Sequence, residues 1–159
     1  MKVQGQEYEV LVVDTAGQDE FSIFPTQYSV DIDGYILVYS IDNEKSFEIC
    51  QVIYEKLVDL LGNPAVPLVL VGNKCDLHMD RRITEATGKK LAQDMKAHFL
   101  ETSAKDNQCA MDLFTKSIIQ IEKVRQQDFI YRLYNKPLFR LMETLLKRRR
   151  TASFPDNPN

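Results

Sequence analysis

A chain of 159 residues with 44% hydrophobic and 27% charged side chains has the composition of an ordinary globular domain, which excludes a disordered or fibrous protein. The formal net charge is -3, but the charges are unevenly distributed: residues 1 to 127 carry 20 acidic and 13 basic side chains, and the basic excess lies near the C-terminus. A basic nucleic-acid-binding domain is therefore not expected. The longest apolar runs fall far short of the roughly 18 residues that cross a bilayer, and three cysteines without paired spacing indicate reduced thiols, so we expect a cytoplasmic protein.

Four apolar runs predict the strands of a sheet that is covered on both faces. They are Glu7 to Asp14, Gly34 to Ser40, Pro67 to Asn73 and His98 to Ser103.

Helical patterns alternate with these runs. The stretch from Glu44 to Leu61 has apolar residues at helical spacing and is followed by Gly62, a residue that commonly ends helices. Thr84 is predicted to cap a second helix that runs to about Ala97, and Asn107 to cap a third that runs to about Arg125. Alternating strands and helices predict an α/β fold with a largely parallel sheet.

Polar clusters follow three of the predicted strands, at the edge where α/β sheets bind ligands. These clusters are Asp14 to Gln18, Asn73 to Asp76 and Glu101 to Lys105. Their shared position predicts one binding crevice.

The first cluster, "DTAGQ", suits a phosphate site. Asp14 can hold Mg²⁺ through water, and after the small Ala16 the backbone N–H of Gly17 can approach a phosphate oxygen. Gln18 can orient a water for attack on that phosphate. An ordinary exit from a strand into a turn is the alternative.

The second cluster, "NKCD", suits a guanine base. The Asp76 carboxylate can accept hydrogen bonds from the guanine N1–H and 2-amino groups, which adenine lacks, and discrimination of roughly 10⁴-fold can follow. Asn73 would brace the loop and the Lys74 stem would lie over the base. A simple polar turn is the alternative.

Within the third cluster, "TSAK" covers Thr102 to Lys105. Ser103 can make a local hydrogen bond, the backbone N–H of Ala104 can face guanine O6, and Lys105 completes the turn. The alternative is a loop that only leads into a helix. Three clusters in this order, each after its own strand, favour a nucleotide site.

The sequence resembles the small Ras-type GTPases, and within them the Rheb branch. "DTAGQDEFSIFP", "GYILVYS", "GNKCDLHMD" and "ETSAK" match that family in order and spacing, over about Gly5 to Val124. In the segment from Phe21 to Tyr35, Pro25 makes a regular helix costly in the second switch, which is a Rheb-like feature.

The resemblance implies a P-loop NTPase fold of the Ras type, with helices on both faces of the sheet. It also implies binding of GTP, GDP and Mg²⁺, slow GTP hydrolysis with Gln18 as catalytic residue, and nucleotide contacts from Asp14, Ala16, Gly17 and the two guanine loops. A GTPase-activating protein and the target-of-rapamycin kinase complex are the implied partners.

The phosphate-binding signature G-x-x-x-x-G-K-[ST] does not occur in these 159 residues. Relative to the family, the first strand, the first helix and the first switch with its Mg²⁺-binding Thr are also missing. We therefore expect an N-terminally incomplete GTPase that binds nucleotide weakly alone. The alternative is a non-catalytic interaction protein that uses the second-switch surface and the basic tail.

We expect a truncated Ras-like domain over residues 1–126, a basic amphipathic helical tail over 127–150 and a disordered end over 151–159. The tail carries apolar pairs four residues apart, beginning with Phe129 and Ile130, and ends in "KRRR". Peripheral contact with the cytosolic face of an anionic membrane is one interpretation. Packing of this stripe on the domain, or a sequence unrelated to the family, is the other.

Overall fold

The computed structural model describes residues 1–15, 32–62, 66–104 and 107–134. Within them the chain forms five strands and three helices. The strands are β1 (Lys2–Val3), β2 (Gln6–Glu7), β3 (Tyr35–Ser40), β4 (Leu68–Asn73) and β5 (His98–Glu101), and the helices are α1 (Glu44–Leu61), α2 (Glu85–Asp94) and α3 (Asn107–Tyr134). The chain divides into two units, Met1–Val124 and a second unit that begins at Arg125.

The N-terminal hairpin pairs β1 with β2 in antiparallel register. Its two-residue loop, Gln4 and Gly5, has positive φ angles of 49° and 86°. This conformation matches the twist of a two-residue hairpin, and glycine adopts it without steric cost. The hairpin is closed by a backbone hydrogen bond of 2.8 Å from the Tyr8 N–H to the Met1 carbonyl.

The predicted strand from Glu7 to Asp14 is wrong beyond its first residue. Residues 8–15 form no strand, and the apolar side chains that were expected to be buried are exposed, with Leu11 at 89% and Val12 at 57%. A strand forms only where a neighbour accepts its backbone hydrogen bonds, and in the described part of the chain these residues have no strand beside them.

The three-stranded parallel sheet has the order β3-β4-β5. All three strands were predicted from their apolar runs, and the parallel arrangement is confirmed. The central strand, β4, is buried on both faces, since the consecutive residues Leu70 and Val71, which point to opposite faces, are 0% and 1% exposed. This is the environment in which a strand reads as a continuous apolar run.

Helix α1 has the bounds that the sequence predicts. The Asn43 side chain caps its start by accepting a hydrogen bond of 3.1 Å from the Ser46 N–H. Gly62 ends it in the left-handed conformation, with φ 62°, and donates to the Val58 carbonyl. The apolar face of α1 packs on β3 through Phe47 and Cys50.

The other two helices differ from prediction at their C-terminal ends. Thr84 caps α2 as expected, but the helix stops at Asp94, because Lys96 adopts a positive φ of 56° and turns the chain into β5. Helix α3 includes Asn107, which was predicted to be its cap, and continues to Tyr134, nine residues beyond the predicted end and into the stretch that was predicted as a separate helical tail. No glycine or proline lies between Asn107 and Tyr134 to stop it.

The main hydrophobic core lies between one face of the sheet and helices α1 and α2. Tyr39 of β3 is at its centre and makes an edge-to-face contact with Phe47, with ring centroids 4.9 Å apart. The remaining core residues are Leu37, Ile41, Cys50, Leu68, Leu70, Ile83, Leu91, Ala92 and Met95. Because β3 and β4 contribute to this core from their full lengths, the loops at their carboxyl ends start from fixed positions.

No helix in the described ranges is both long enough and apolar enough to cross a membrane.

Two buried acids make the domain sensitive to alkali. Burial raises the pKa of the Cys50 thiol from 9.0 to about 12, and burial followed by the Glu101 charge raises the pKa of Tyr39 from 10.0 to about 12. The unfolded chain releases these protons at lower pH than the folded chain does. We therefore expect the free energy of unfolding to be unaffected by these groups below pH 9 and to fall above it.

The expected slope is about 1.4 kcal/mol per pH unit from Cys50, with a similar contribution from Tyr39 above pH 10. Urea unfolding under reducing conditions between pH 7 and 11 measures it. Cys50→Ala should flatten the slope between pH 9 and 10, and an unchanged slope in that variant would contradict the assignment to Cys50.

Candidate functional site

The carboxyl ends of β4 and β5 carry the two loops that were predicted to bind a base. Backbone hydrogen bonds continue from the sheet into these loops. The Thr102 N–H donates to the Gly72 carbonyl at 2.8 Å, and the Cys75 N–H donates to the Thr102 carbonyl at 3.0 Å. The loops therefore lie side by side because their strands are neighbours in register.

Asp76 and Ser103 meet across this junction. The Ser103 hydroxyl donates a hydrogen bond of 2.7 Å to Oδ1 of Asp76, although the two residues are 27 positions apart in the chain. Ser103 is buried at 5% exposure, whereas Asp76 is exposed. A buried hydroxyl thus fixes the orientation of a carboxylate that faces the outside of the loop.

Asn73 and Lys74 form the tight turn that leads to Asp76. Lys74 has a positive φ of 63°, and its backbone N–H donates to the Asn73 side-chain oxygen at 2.8 Å. The Leu77 N–H then donates a hydrogen bond of 2.9 Å to the Lys74 carbonyl. The hydrogen bond from the Lys74 N–H ties the Asn73 side chain to the turn, and the role of Asn73 in a base site stays a prediction.

Asp42, which the sequence reading did not select, lies beside Lys74. Its Oδ2 is 3.5 Å from the Lys74 ammonium, and its Oδ1 accepts a hydrogen bond from the Ser40 hydroxyl. The Ser40 hydrogen bond, with help from the Lys74 charge, lowers the pKa of Asp42. Both partners of the ion pair are partly exposed, so it orients the Lys74 stem more than it stabilises the fold.

Asp14 lies in the exposed segment that follows the hairpin. The structure records no contact between its carboxylate and the two base loops. Ala16, Gly17, Gln18 and Lys105 lie outside the described residues, so the predicted phosphate and catalytic positions stay predictions. The structure therefore brings together Asn73, Lys74, Asp76 and Ser103, with Ala104 exposed directly after Ser103.

This geometry suits the edge of a guanine base that carries the N1–H and 2-amino groups. An exposed carboxylate that is held in place can accept two parallel hydrogen bonds, from N1–H and from the 2-amino group. The donor set of adenine at the same edge is different, so it would leave the carboxylate unsatisfied. In the described ranges no group of three or more histidine, cysteine or carboxylate side chains forms a metal cluster.

Two further polar residues were missed. Arg81 and Glu101 form a two-pronged ion pair just behind the base loops, with N–O distances of 2.6 and 2.8 Å. Glu101 stood in a predicted cluster without a role. Asp42 stands two residues after the end of β3, so the rule that ligands bind at strand ends was the available signal for it. The Arg81–Glu101 pair spans 20 residues, and no local pattern indicates it.

Comparison with known proteins agrees with this geometry. The model of the Ras family matches residues 1–123. The chain belongs to the Ras family, and its α/β architecture with a parallel sheet is the P-loop GTPase fold that the sequence predicted.

Similar proteins place the chain in the Rheb branch of that family. It is 57% identical over 122 residues to the human GTP-binding protein Rheb, and 56% identical over 121 residues to the Rheb homologue of Drosophila melanogaster. The match to the GTP-binding protein rhb1 of Schizosaccharomyces pombe is 44% over 123 residues. The alignments cover 76–77% of this chain and 66% of each relative, so the chain spans just under two thirds of their length.

Proposed function

We propose that the protein is a Rheb-like guanine-nucleotide switch that binds GTP and GDP and hydrolyses GTP slowly. The observation that carries the proposal is the position of the Asp76 carboxylate. It lies in the loop that follows β4 and accepts a hydrogen bond of 2.7 Å from the buried Ser103 hydroxyl. Relatives that share more than half of their aligned residues with this chain are named as GTP-binding proteins, which supports the same assignment.

Each residue has a proposed task in this switch. Asp76 accepts the guanine N1–H and 2-amino protons, and the backbone N–H of Ala104 donates to O6. Lys74, tethered to Asp42, lays its stem along the base. Asn73 holds the turn, and Lys105 completes the third loop.

The phosphate end of the nucleotide is assigned to the first cluster. Mg²⁺, when bound, neutralises charge on the phosphates, and Asp14 would hold it through a water. The small residues Ala16 and Gly17 let the backbone approach the phosphate, and Gln18 orients the attacking water.

Retention of the purified chain on GTP-agarose tests the proposal. We expect elution by GDP at a concentration at least about 100-fold below that of ADP needed for the same release, because the wrong base leaves Asp76 unpaired. The comparison of GDP with ADP cancels any weakness of the phosphate contacts, since both carry the same diphosphate. Equal elution by the two nucleotides would overturn the guanine assignment.

Signalling towards the target-of-rapamycin kinase pathway is the proposed output. The second-switch segment, residues 21–33, is the surface assigned to the kinase complex and to a GTPase-activating protein. A non-catalytic interaction protein that uses this segment and the basic tail is the alternative. Nucleotide-dependent capture of the kinase complex favours the switch, and capture that is equal with and without GTP favours the alternative.

Peripheral membrane contact is proposed for the second unit. Its described residues are helical, and Phe129, Ile130 and Tyr131 are 64%, 51% and 71% exposed. Seven basic residues occur between Arg132 and Arg150 in the sequence, which suits an anionic cytosolic surface.

Sedimentation of the full chain with vesicles tests the membrane proposal. We expect binding to vesicles containing phosphatidylserine and little binding to neutral phosphatidylcholine vesicles. Replacing Phe129 and Ile130 with serine should reduce the bound fraction several-fold through lost apolar burial. Equal sedimentation of the parent chain with and without anionic vesicles would refute the proposal.

A further inference from the structure

Arg81 and Glu101 form a two-pronged ion pair beside the base loops. Nη1 and Nη2 of Arg81 each donate to a different carboxylate oxygen, at 2.6 and 2.8 Å, and Nη1 also donates to the Ile83 carbonyl at 3.0 Å. The two side chains are 24% and 16% exposed. A planar fork of this kind fixes direction as well as distance, which a lysine cannot do.

The position of each partner ties this pair to the base site. Glu101 is the last residue of β5 and stands two positions before Ser103, while Arg81 stands five positions after Asp76. The exposed segment 76–80 is therefore anchored to the β5 side at both of its ends. The first anchor is the Cys75–Thr102 backbone hydrogen bond, and the second is the Arg81–Glu101 pair.

The segment is also bound on its other side. The backbone N–H groups of Arg82 and Ile83 both donate to the Ile41 carbonyl at the end of β3, at 2.8 and 2.9 Å. The chain at Arg81 is thus held on two sides. The Arg81 side chain binds Glu101 of β5, and the next two backbone N–H groups bind the carbonyl of the residue that follows β3. Loss of the Arg81–Glu101 pair would leave the far end of the segment attached at the β3 side alone, while the Cys75–Thr102 hydrogen bond still holds its start.

We propose that Arg81 and Glu101 are positioning residues that hold the Asp76 loop against the Ser103 loop and so set the preference for guanine. The inference rests on the proposed guanine site and adds to it the ion pair that keeps the Asp76 loop and the Ser103 loop at a fixed separation. The pair does not contact the base. It acts through the Asp76–Ser103 hydrogen bond, which forms only when the two loops are at the right separation.

The thiol of Cys75 reports on this register without any nucleotide. Cys75 lies between Lys74 and Asp76, and its N–H belongs to the first anchor. In a Cys109→Ser background, only Cys75 and the buried Cys50, which is 2% exposed, remain. Because the Cys75 thiol is partly buried in the folded loop, its rate of alkylation by iodoacetamide should rise when the loop is displaced from β5.

Glu101→Gln removes the charge of the pair while keeping its size. We expect alkylation of Cys75 to become about fivefold faster or more, because the neutral amide cannot keep both charge-assisted hydrogen bonds to Arg81. Glu85→Gln is the matched control, because it breaks the exposed Lys89–Glu85 pair of 2.6 Å on the same domain. Arg81→Lys should give an intermediate rate. Equal rates in Glu101→Gln and Glu85→Gln would overturn the positioning role.

Selectivity between GDP and IDP separates positioning from general stability. Inosine differs from guanosine only by lacking the 2-amino group. The ratio of the two dissociation constants therefore reports on how well the Asp76 carboxylate is positioned against that group. We expect Glu101→Gln to reduce this ratio about threefold or more, whereas a purely stabilising role would weaken both ligands equally and leave the ratio unchanged. If the parent chain binds neither nucleotide, the proposed function fails, and the alkylation comparison still decides the role of the pair.

Discussion

Replacing Asp76 by asparagine is expected to weaken GDP binding by about 100-fold and to strengthen the binding of xanthosine diphosphate. Two charge-assisted hydrogen bonds contribute on the order of 3 kcal/mol together, and the carboxamide cannot accept both guanine protons. Xanthine carries an oxygen where guanine carries the 2-amino group. The amide N–H of the new side chain can donate to that oxygen, which a carboxylate would repel.

Competition titrations against a fluorescent guanine nucleotide measure both effects. Asp80→Asn is the matched control, since it makes the same change on an exposed residue of the same loop and should leave both affinities unaltered. An Asp76→Asn variant that loses GDP and xanthosine diphosphate equally would show that Asp76 supports the loop without reading the base.

Gly88→Val is expected to produce the largest loss of stability, about 3 kcal/mol or more of the free energy of unfolding. A Cβ at this position would lie 2.7 and 2.8 Å from ring atoms of Phe99 and closer still to the Tyr39 hydroxyl. Tyr39 is 1% exposed, and its ring contacts Phe47, so it has little room to move. Overpacking of this kind forces side chains out of their preferred rotamers.

Urea unfolding at neutral pH measures the loss at Gly88. Lys90→Val places the same side chain on the exposed side of the same helix and should cost less than about 1 kcal/mol. The double variant Gly88→Val with Tyr39→Phe should recover part of the loss, because the nearest atom is removed. Among the described residues the Tyr39 hydroxyl has no hydrogen-bond partner, so Tyr39→Phe alone should be close to neutral. Wild-type stability in Gly88→Val would contradict the tight contact.

The sheet and its first helix follow from local sequence. The bounds of α1 were predictable because its apolar spacing, its Asn43 cap and its Gly62 end agree with each other. The runs that became β3 and β4 were equally clear, since a doubly covered strand needs continuous apolar residues.

The segment after the hairpin shows where local sequence stops being informative. The run from Val10 to Val13 is as apolar as β4, yet it forms no strand in the structure and is exposed. Apolar character indicates that a segment can be buried, but pairing depends on a neighbouring strand that the run itself does not specify. The third helix differs in another way: the sequence predicted an end near Arg125 and a separate helical tail from residue 127, whereas α3 is continuous from Asn107 to Tyr134.

The candidate site was predictable in part. The strand-end rule selected Asn73, Lys74, Asp76 and Ser103, and the structure brings these residues together. Contacts between distant segments could not be selected in this way. The Arg81–Glu101 pair and the Asp42–Lys74 pair depend on the parallel register of β3, β4 and β5, which is a property of the folded sheet.

A structure of the protein in complex with GDP tests the central claim most directly. We predict that guanine N1 and its 2-amino nitrogen each lie about 3 Å from a carboxylate oxygen of Asp76, with the Ser103 hydroxyl still bound to that carboxylate. A guanine base bound elsewhere, or bound at this crevice with Asp76 turned away from it, would contradict the account.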